Sequence, residues 1–210
     1  MNPIERQVAE LRSSVILRLP DRTRRVRACA GEIADRVPVT HREHHMKIPV
    51  EHQLSMTVLM TPDMANFSGN VHGGHVLKLL DQVAYACASR YAKGYVVTLS
   101  VDQVVFRQPI HVGELVTFLA SINYTGTTSM EVGIKVVTEN IQSQVVRHAN
   151  SCFFTMVAVN EEGIPAHVAQ LVPATPDERR RFEAAKARRE LRRELEGRYR
   201  AMKDRTLPRS

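Results

Sequence analysis

The 210-residue sequence predicts an α+β fold, an antiparallel sheet wrapped around one long helix, on three observations. A single stretch carries apolar residues at sustained helical spacing. One stretch before it and four after it carry strand patterns, and the separators around Gly126 and after Glu139 are short enough for antiparallel hairpins.

The helix is the clearest element. Val76, Leu79, Leu80, Val83, Ala84, Cys87, Ala88 and Tyr91 recur at i, i+3, i+4 and i+7, an arc wide enough to predict a largely buried helix. Gly73 and Gly74 open it, and Gly94 is expected to stop it. Ahead of it Leu54, Met56, Val58 and Met60 alternate as in a half-buried strand, which Pro62 and Asp63 end. The segment between, TPDMANFSGNVHGG, is rich in turn formers and reads as a long loop. The later strands are expected at 96–106, 115–124, 130–139 and 145–159. The third alternates most cleanly, through Met130, Val132, Ile134 and Val136.

Residues 48–176 therefore read as one domain, closed by Pro173 and Pro176. From 177 to about 203 the composition of Arg, Glu, Ala and Leu favours helix, with a thin apolar stripe of Phe182, Leu191, Leu195 and Tyr199. It is expected to be mostly solvated and weakly packed, and residues 177–210 form a charged helix and tail. Residues 1–47 lack a sustained apolar period and are expected to be a poorly ordered basic extension, with a start near Met46 as an alternative.

The formal charge of +7 suggests nucleic acid until it is mapped. Residues 1–47 hold ten Lys/Arg against six Asp/Glu and 177–210 thirteen against seven, whereas 48–176 hold six against nine. A nucleic-acid-binding domain carries its basic footprint on the folded body, so none is expected here. No apolar run approaches the roughly 20 residues of a membrane-spanning helix. The segment after the short apolar patch 15–19 lacks a secretory cleavage pattern, and the acidic residues among the arginines count against a mitochondrial presequence. Cys29, Cys87 and Cys152 are odd in number and widely spaced, so a reducing compartment and a cytoplasmic location are expected, with Cys87 and Cys152 as small buried hydrophobes. His41, His44 and His45 lack a carboxylate or cysteine partner, and no metal is expected.

Candidate chemistry is concentrated in NFSGNVHGGHVLKLLD, residues 66–81. First-turn amides at a helix entry lack intrahelical acceptors and can polarise a carbonyl, and glycines there admit a substrate to the backbone. Asn70 can orient water or donate to a substrate, and Asp81 on an apolar helix can serve as general base or nucleophile. The same residues also suit a turn, a close helix–sheet contact and an ordinary surface charge, so residue chemistry alone leaves both roles open. His72 and His75 are equally ambiguous.

The ordered motifs PDMANFSGNVHGGHVLKLLD, VTLSVDQVVFRQPIHVGE, GTTSMEV and FFTMVAVNEEGIPAHV resemble the hotdog-fold acyl-CoA thioesterases, the acyl-CoA hydrolase family, over about 50–175. The resemblance implies a hotdog fold and hydrolysis of acyl-CoA to CoA and a carboxylic acid, with no cofactor beyond the CoA of the substrate. It also implies a homo-oligomer, a dimer at least and by analogy a trimer of dimers. Asp81 and Asn70 match the family's catalytic pair and would meet across the dimer interface, with the amides near Gly73, Gly74 and His75 polarising the thioester. Thr98, Ser100, Arg107, Thr127, Thr128 and Ser129 would bind CoA, and the acyl chain would run near Leu77, Val83 and Tyr85. The competing readings are a hotdog hydratase or dehydratase using His72 and an acyl-CoA-sensing regulator. Residues 1–47 lack the paired helical stripes of a helix-turn-helix.

Overall fold

The computed structural model describes residues 52–102 and 104–206, with side chains as far as 202. The expected N-terminal extension, the histidine cluster, Cys29 and the alternative start at Met46 lie outside the described residues.

Five strands form one antiparallel sheet in the order β1-β3-β4-β5-β2: β1 (Gln53–Leu59), β2 (Val96–Val101), β3 (Glu114–Thr125), β4 (Ser129–Asn140) and β5 (Val146–Ala158). A short 3-10 turn, Pro62–Met64, precedes helix α1 (Gly73–Ala92), and helix α2 (Pro176–Thr206) follows the sheet. The strands' period of two puts Val116, Phe118, Val132, Ile134, Phe154 and Met156 on one face, where they bury against Val76, Leu80, Val83, Ala84, Cys87 and Ala88 of α1. Three of those six helix residues are small, which lets α1 sit close to the sheet. Cys87 and Cys152 are free thiols within this core, and burial pushes both up to about 12, as small buried hydrophobes require.

Two sequence expectations are corrected. Helix α1 ends not at a left-handed Gly94 but with Lys93 in the left-handed conformation (φ 54°, ψ 34°), while the Gly94 N–H bonds back to Ser89 O. The strand expected at 96–106 stops at Val101. Asp102 still donates its N–H to Phe153 O, but Val104 and Phe106 then leave the sheet and line a cavity. Their apolar character serves that wall rather than a ladder.

Helix α2 is fastened more firmly than its charge suggested. It opens with a capping box: Thr175 Oγ1 accepts from Glu178 N (3.2 Å), and Glu178 Oε2 accepts from Thr175 N (3.1 Å) and Ala174 N (2.8 Å). Pro176 takes the first helical position. Ala185 is buried, and Phe182 packs on Tyr124. Arg188 reaches Glu131 at 2.7 Å with its guanidinium 3.6 Å from the Phe153 ring centre, and Arg192 bonds both Glu131 (3.3 Å) and Asp102 (2.6 Å). Glu131 is only 2% exposed, so these arginines are what make a carboxylate tolerable there.

Replacing both Arg188 and Arg192 by Ala is expected to cost on the order of 3–5 kcal/mol in urea unfolding, because Glu131 is left buried and unpaired, and Glu131→Gln in that background should recover part of the loss. The Glu178 carboxyl is held down to about 2 by the Thr175 N–H, then by the Ala174 N–H and the His52 side chain. Its ionised form therefore stabilises the fold above about pH 4.5, and that stabilisation is lost as pH falls toward 2. The stability gap between wild type and Glu178→Gln should be full at pH 6 and close over that range.

Candidate active site

The entry to α1 is organised by its own loop. Asn66 and Asn70 close it from both sides: Asn66 N donates to Asn70 O (2.6 Å), and Asn66 Oδ1 accepts from Ser68 N (2.9 Å) and Asn70 N (3.2 Å). Gly69 sits at φ +76°, a conformation that favours glycine. With its oxygen committed to two amides, the Asn66 side chain has its NH2 group as its remaining donor.

The two histidines flanking the glycine pair separate. His72 is the N-cap of α1, its Nδ1 accepting from Gly74 N at 2.9 Å, so the ring carries its proton on Nε2 and does structural work. His75 N donates to His72 O at 2.9 Å. Of the three amides expected to polarise a carbonyl, those of Gly74 and His75 thus already have acceptors, while the Gly73 N–H has none among the described residues. The Phe106 ring lies 3.7 Å from where a Gly73 Cβ would stand, so an aromatic side chain roofs this end of the helix.

Two turns along the helix Asp81 is exposed, and Thr98 of β2 donates its hydroxyl to Asp81 Oδ1 at 2.7 Å. Both carboxylate and roof line one open cavity of about 530 Å³, with Leu77, Val101, Asp102, Val104 and Phe154. Its walls are mainly apolar, with Asp81 and Asp102 as the charged groups and Asp102 paired to Arg192. A carboxylate held at the mouth of an apolar groove can accept a proton from water or attack an acyl carbon.

The other expected residues sort by distance from this centre. Leu77 lines the cavity, but Val83 is fully buried in the core and cannot meet an acyl chain. Tyr85 stacks edge-on with Tyr95. Thr98, expected along the CoA path, bonds Asp81 instead. Ser100 and Arg107 follow it, Arg107 exposed. Thr127, Thr128 and Ser129 form the β3–β4 hairpin, where Thr127 O and Thr128 O accept from Val168 N and Ala158 N. Asn70 does not touch Asp81 in this chain; its Oδ1 meets His111 Nδ1 at 2.8 Å. Asn66 was not singled out from the sequence. The signal was an Asn-x-x-Gly turn whose glycine needs a positive φ. No group of three His, Cys, Asp or Glu is placed to hold a metal among the described residues, and no helix there is long and apolar enough to cross a membrane.

Comparison with known proteins bears on this geometry. The thioesterase superfamily model matches residues 68–144. Protein VdlD of Helicobacter pylori is 54% identical over 140 residues, 67% of this chain and 80% of that protein. The cytosolic acyl coenzyme A thioester hydrolase of Rattus norvegicus is 41% identical over 65% of this chain and 36% of its own length. Among solved structures, an apo-hexameric acyl-CoA thioesterase superposes with TM-score 0.66 at 36% identity, over 68% of this chain and 92% of that one. The acyl-CoA hydrolase of Staphylococcus aureus, in complex with butyryl coenzyme A and coenzyme A, gives 0.68 at 27%, over 73% and 94%. That enzyme has also been solved with an asparagine, an aspartate fifteen residues later, or a threonine seventeen beyond that, replaced by alanine.

His72→Asn, which keeps a capping acceptor, should retain stability, whereas His72→Ala should lose about 1 kcal/mol in chemical denaturation. Thioester turnover per folded molecule is expected to survive both, in contrast to a dehydratase that uses His72 as its base.

Proposed function

The chain belongs to the thioesterase superfamily, and from that premise we propose that it hydrolyses acyl-CoA thioesters to CoA and a carboxylic acid. The observation that carries this reading is the Asp81 carboxylate, bonded by Thr98 at an apolar cavity whose roof lies over the Gly73 end of α1. The acyl chain would enter along Leu77 and Phe106 and bring its carbonyl to the helix entry, where the Gly73 N–H polarises it. Asp81 of a second copy, since within one helix it stands two turns from the Gly73 amide, then takes a proton from the attacking water or attacks the carbonyl carbon itself. Either route expels CoA as thiolate; in the first the acid forms directly, and in the second water opens the acyl-Asp81 anhydride, releasing the acid and restoring the carboxylate. No cofactor is needed beyond the CoA of the substrate.

The assisting amide was expected at Asn70, and the spacing of the replaced residues in a relative favours Asn66. Asn66, Asp81 and Thr98 repeat the spacings of fifteen and seventeen residues found among the three replaced positions of the Staphylococcus aureus enzyme. Each asparagine has a fixed oxygen and a donor NH2, Asn66 held by two backbone amides and Asn70 by His111, so the spacing is what favours Asn66. Asn70 serves as a brace for the loop in this reading. Ser100, Arg107, Thr127, Thr128 and Ser129 remain the candidates for CoA contacts.

A second copy of the chain would complete the site. Strand β2 is a sheet edge whose Val97, Leu99 and Val101 are 38, 67 and 45% exposed, beside Tyr95, Leu77 and Tyr85. An apolar edge of this kind is a template for pairing with another copy. Pairing there sets Asn66 of one subunit against Asp81 of the other. The hexameric relative supports a trimer of dimers, and the name of the rat relative supports a cytoplasmic location.

The test is thiol release from acyl-CoAs of several chain lengths by the purified chain. Asp81→Ala should lower kcat by about 10²- to 10⁴-fold, Asn66→Ala should cost more than Asn70→Ala, and absence of turnover at every length would sink the proposal. Leu99→Glu is expected to yield monomers by analytical ultracentrifugation, and those monomers should be inactive.

A further inference from the structure

Behind Asn70 lies a chain of polar contacts that the hydrolytic reading does not use. The loop from β2 to β3 passes beside the α1 entry loop, pairing His111 with Asn70 in an isolated antiparallel bridge, with Val71 N donating to Ile110 O at 2.8 Å. His111 Nδ1 stands 2.8 Å from Asn70 Oδ1. An amide oxygen can only accept, so the imidazole carries its proton on Nδ1. The His111 N–H donates to Glu114 Oε2 at 3.0 Å. Glu114 is 3% exposed, and its other oxygen takes Arg147 Nη2 at 2.6 Å, while Arg147 Nη1 donates to Gln108 Oε1 at 3.1 Å. A buried carboxylate with an arginine on one oxygen and a backbone amide on the other is a rigid anchor. The chain of contacts therefore runs from β5, through Glu114 at the head of β3, to the His111 backbone, and from the His111 ring to Asn70.

Asn70 passes that rigidity on. Its backbone N–H and C=O are the groups that bond Asn66, and the Asn66 oxygen bonded to Asn70 N fixes which way the Asn66 NH2 points. Losing the His111 contact frees the Asn70 side chain and lets the turn 66–70 shift. We propose that His111 is a positioning residue for hydrolysis: through Asn70 it sets the direction of the Asn66 amide, with Glu114 and Arg147 holding the His111 backbone from which the ring projects. This rests on the reading of Asn66 as the assisting donor.

The test uses the full chain and a panel of acyl-CoAs, comparing wild type with His111→Ala, His111→Asn, Asn66→Ala and His111→Ala/Asn66→Ala. An asparagine amide nitrogen reproduces the Nδ1 donor, so His111→Asn separates donor geometry from loss of the ring. His111→Ala should lower kcat by roughly tenfold to a hundredfold, the scale of an ångström-level misplacement, with KM within about twofold of wild type and the oligomer retained. His111→Asn should recover most of that loss, and the double variant should be no slower than Asn66→Ala alone, since residues acting through one another do not add. Multiplying losses in the double variant, an unchanged kcat in His111→Ala, or a failure of His111→Asn to improve on it would each overturn the inference while an impaired Asn66→Ala leaves the hydrolytic reading standing. Full activity in Asn66→Ala would overturn the inference together with the role of Asn66 as assisting donor, while the turnover itself leaves hydrolysis standing.

Discussion

Burial of one stripe of α1 under the sheet is the constraint on which the other features depend. Leu80, Val83, Ala84, Cys87 and Ala88 are inaccessible, and the strands that meet them alternate so that every second residue is committed to the same core. Once that face is fixed, a helix of 3.6 residues per turn has no freedom left in the opposite direction. Leu77, Asp81 and Tyr85 must lie on the exposed side, facing the β2 edge. Burial thereby aims Asp81 without contacting it, and Thr98 is within reach because β2 borders the same side of the helix.

Both faces of the sheet then bear on the cavity. On the inner side, Phe154 lines it; on the outer side its neighbour Phe153 carries the Arg188 guanidinium. Asp102, another lining residue, is tied to Arg192. A helix that reads in isolation as a solvated run of charge therefore braces the wall of the groove from behind. Its energetic role depends on Glu131, since ion pairs at an exposed surface contribute little, whereas those that satisfy a carboxylate inside the protein are hard to lose.

The sequence made legible what periodicity controls. The wide apolar arc of α1 appears as expected, as do the family and its fold, because those patterns are imposed by burial, whereas β4, expected to alternate most cleanly, is buried almost throughout and β3 is the strand whose burial alternates. What it hid was set by partners distant in the chain. Val104 and Phe106 are apolar like strand residues, and only the cavity distinguishes a wall from a ladder. Lys93 takes the left-handed cap although a glycine stands next to it, because the helix ends one residue sooner than composition suggests. Arg188 and Arg192 looked like solvent charges because Glu131 lies 57 and 61 residues away in the chain. At the site, Asp81 was legible as a carboxylate on an apolar helix, but Asn66 was one of several turn formers. Its distinction is that two amides hold its oxygen, a fact of loop closure that residue type does not carry.

The ionic contact between His52 and Glu178, 3.3 Å apart, has a consequence for the molecule as a module. His52 stands immediately before β1 and Glu178 in the first turn of α2, so the start of the first strand is clasped to the start of the last helix. The segment between them, which holds every strand and α1, is topologically a ring with a seam, and α2 runs on from that seam across the outer face of the sheet. Fraying of the first strand and undocking of the last helix are thereby opposed at a single point, where one contact ties together the two ends of a segment 126 residues apart.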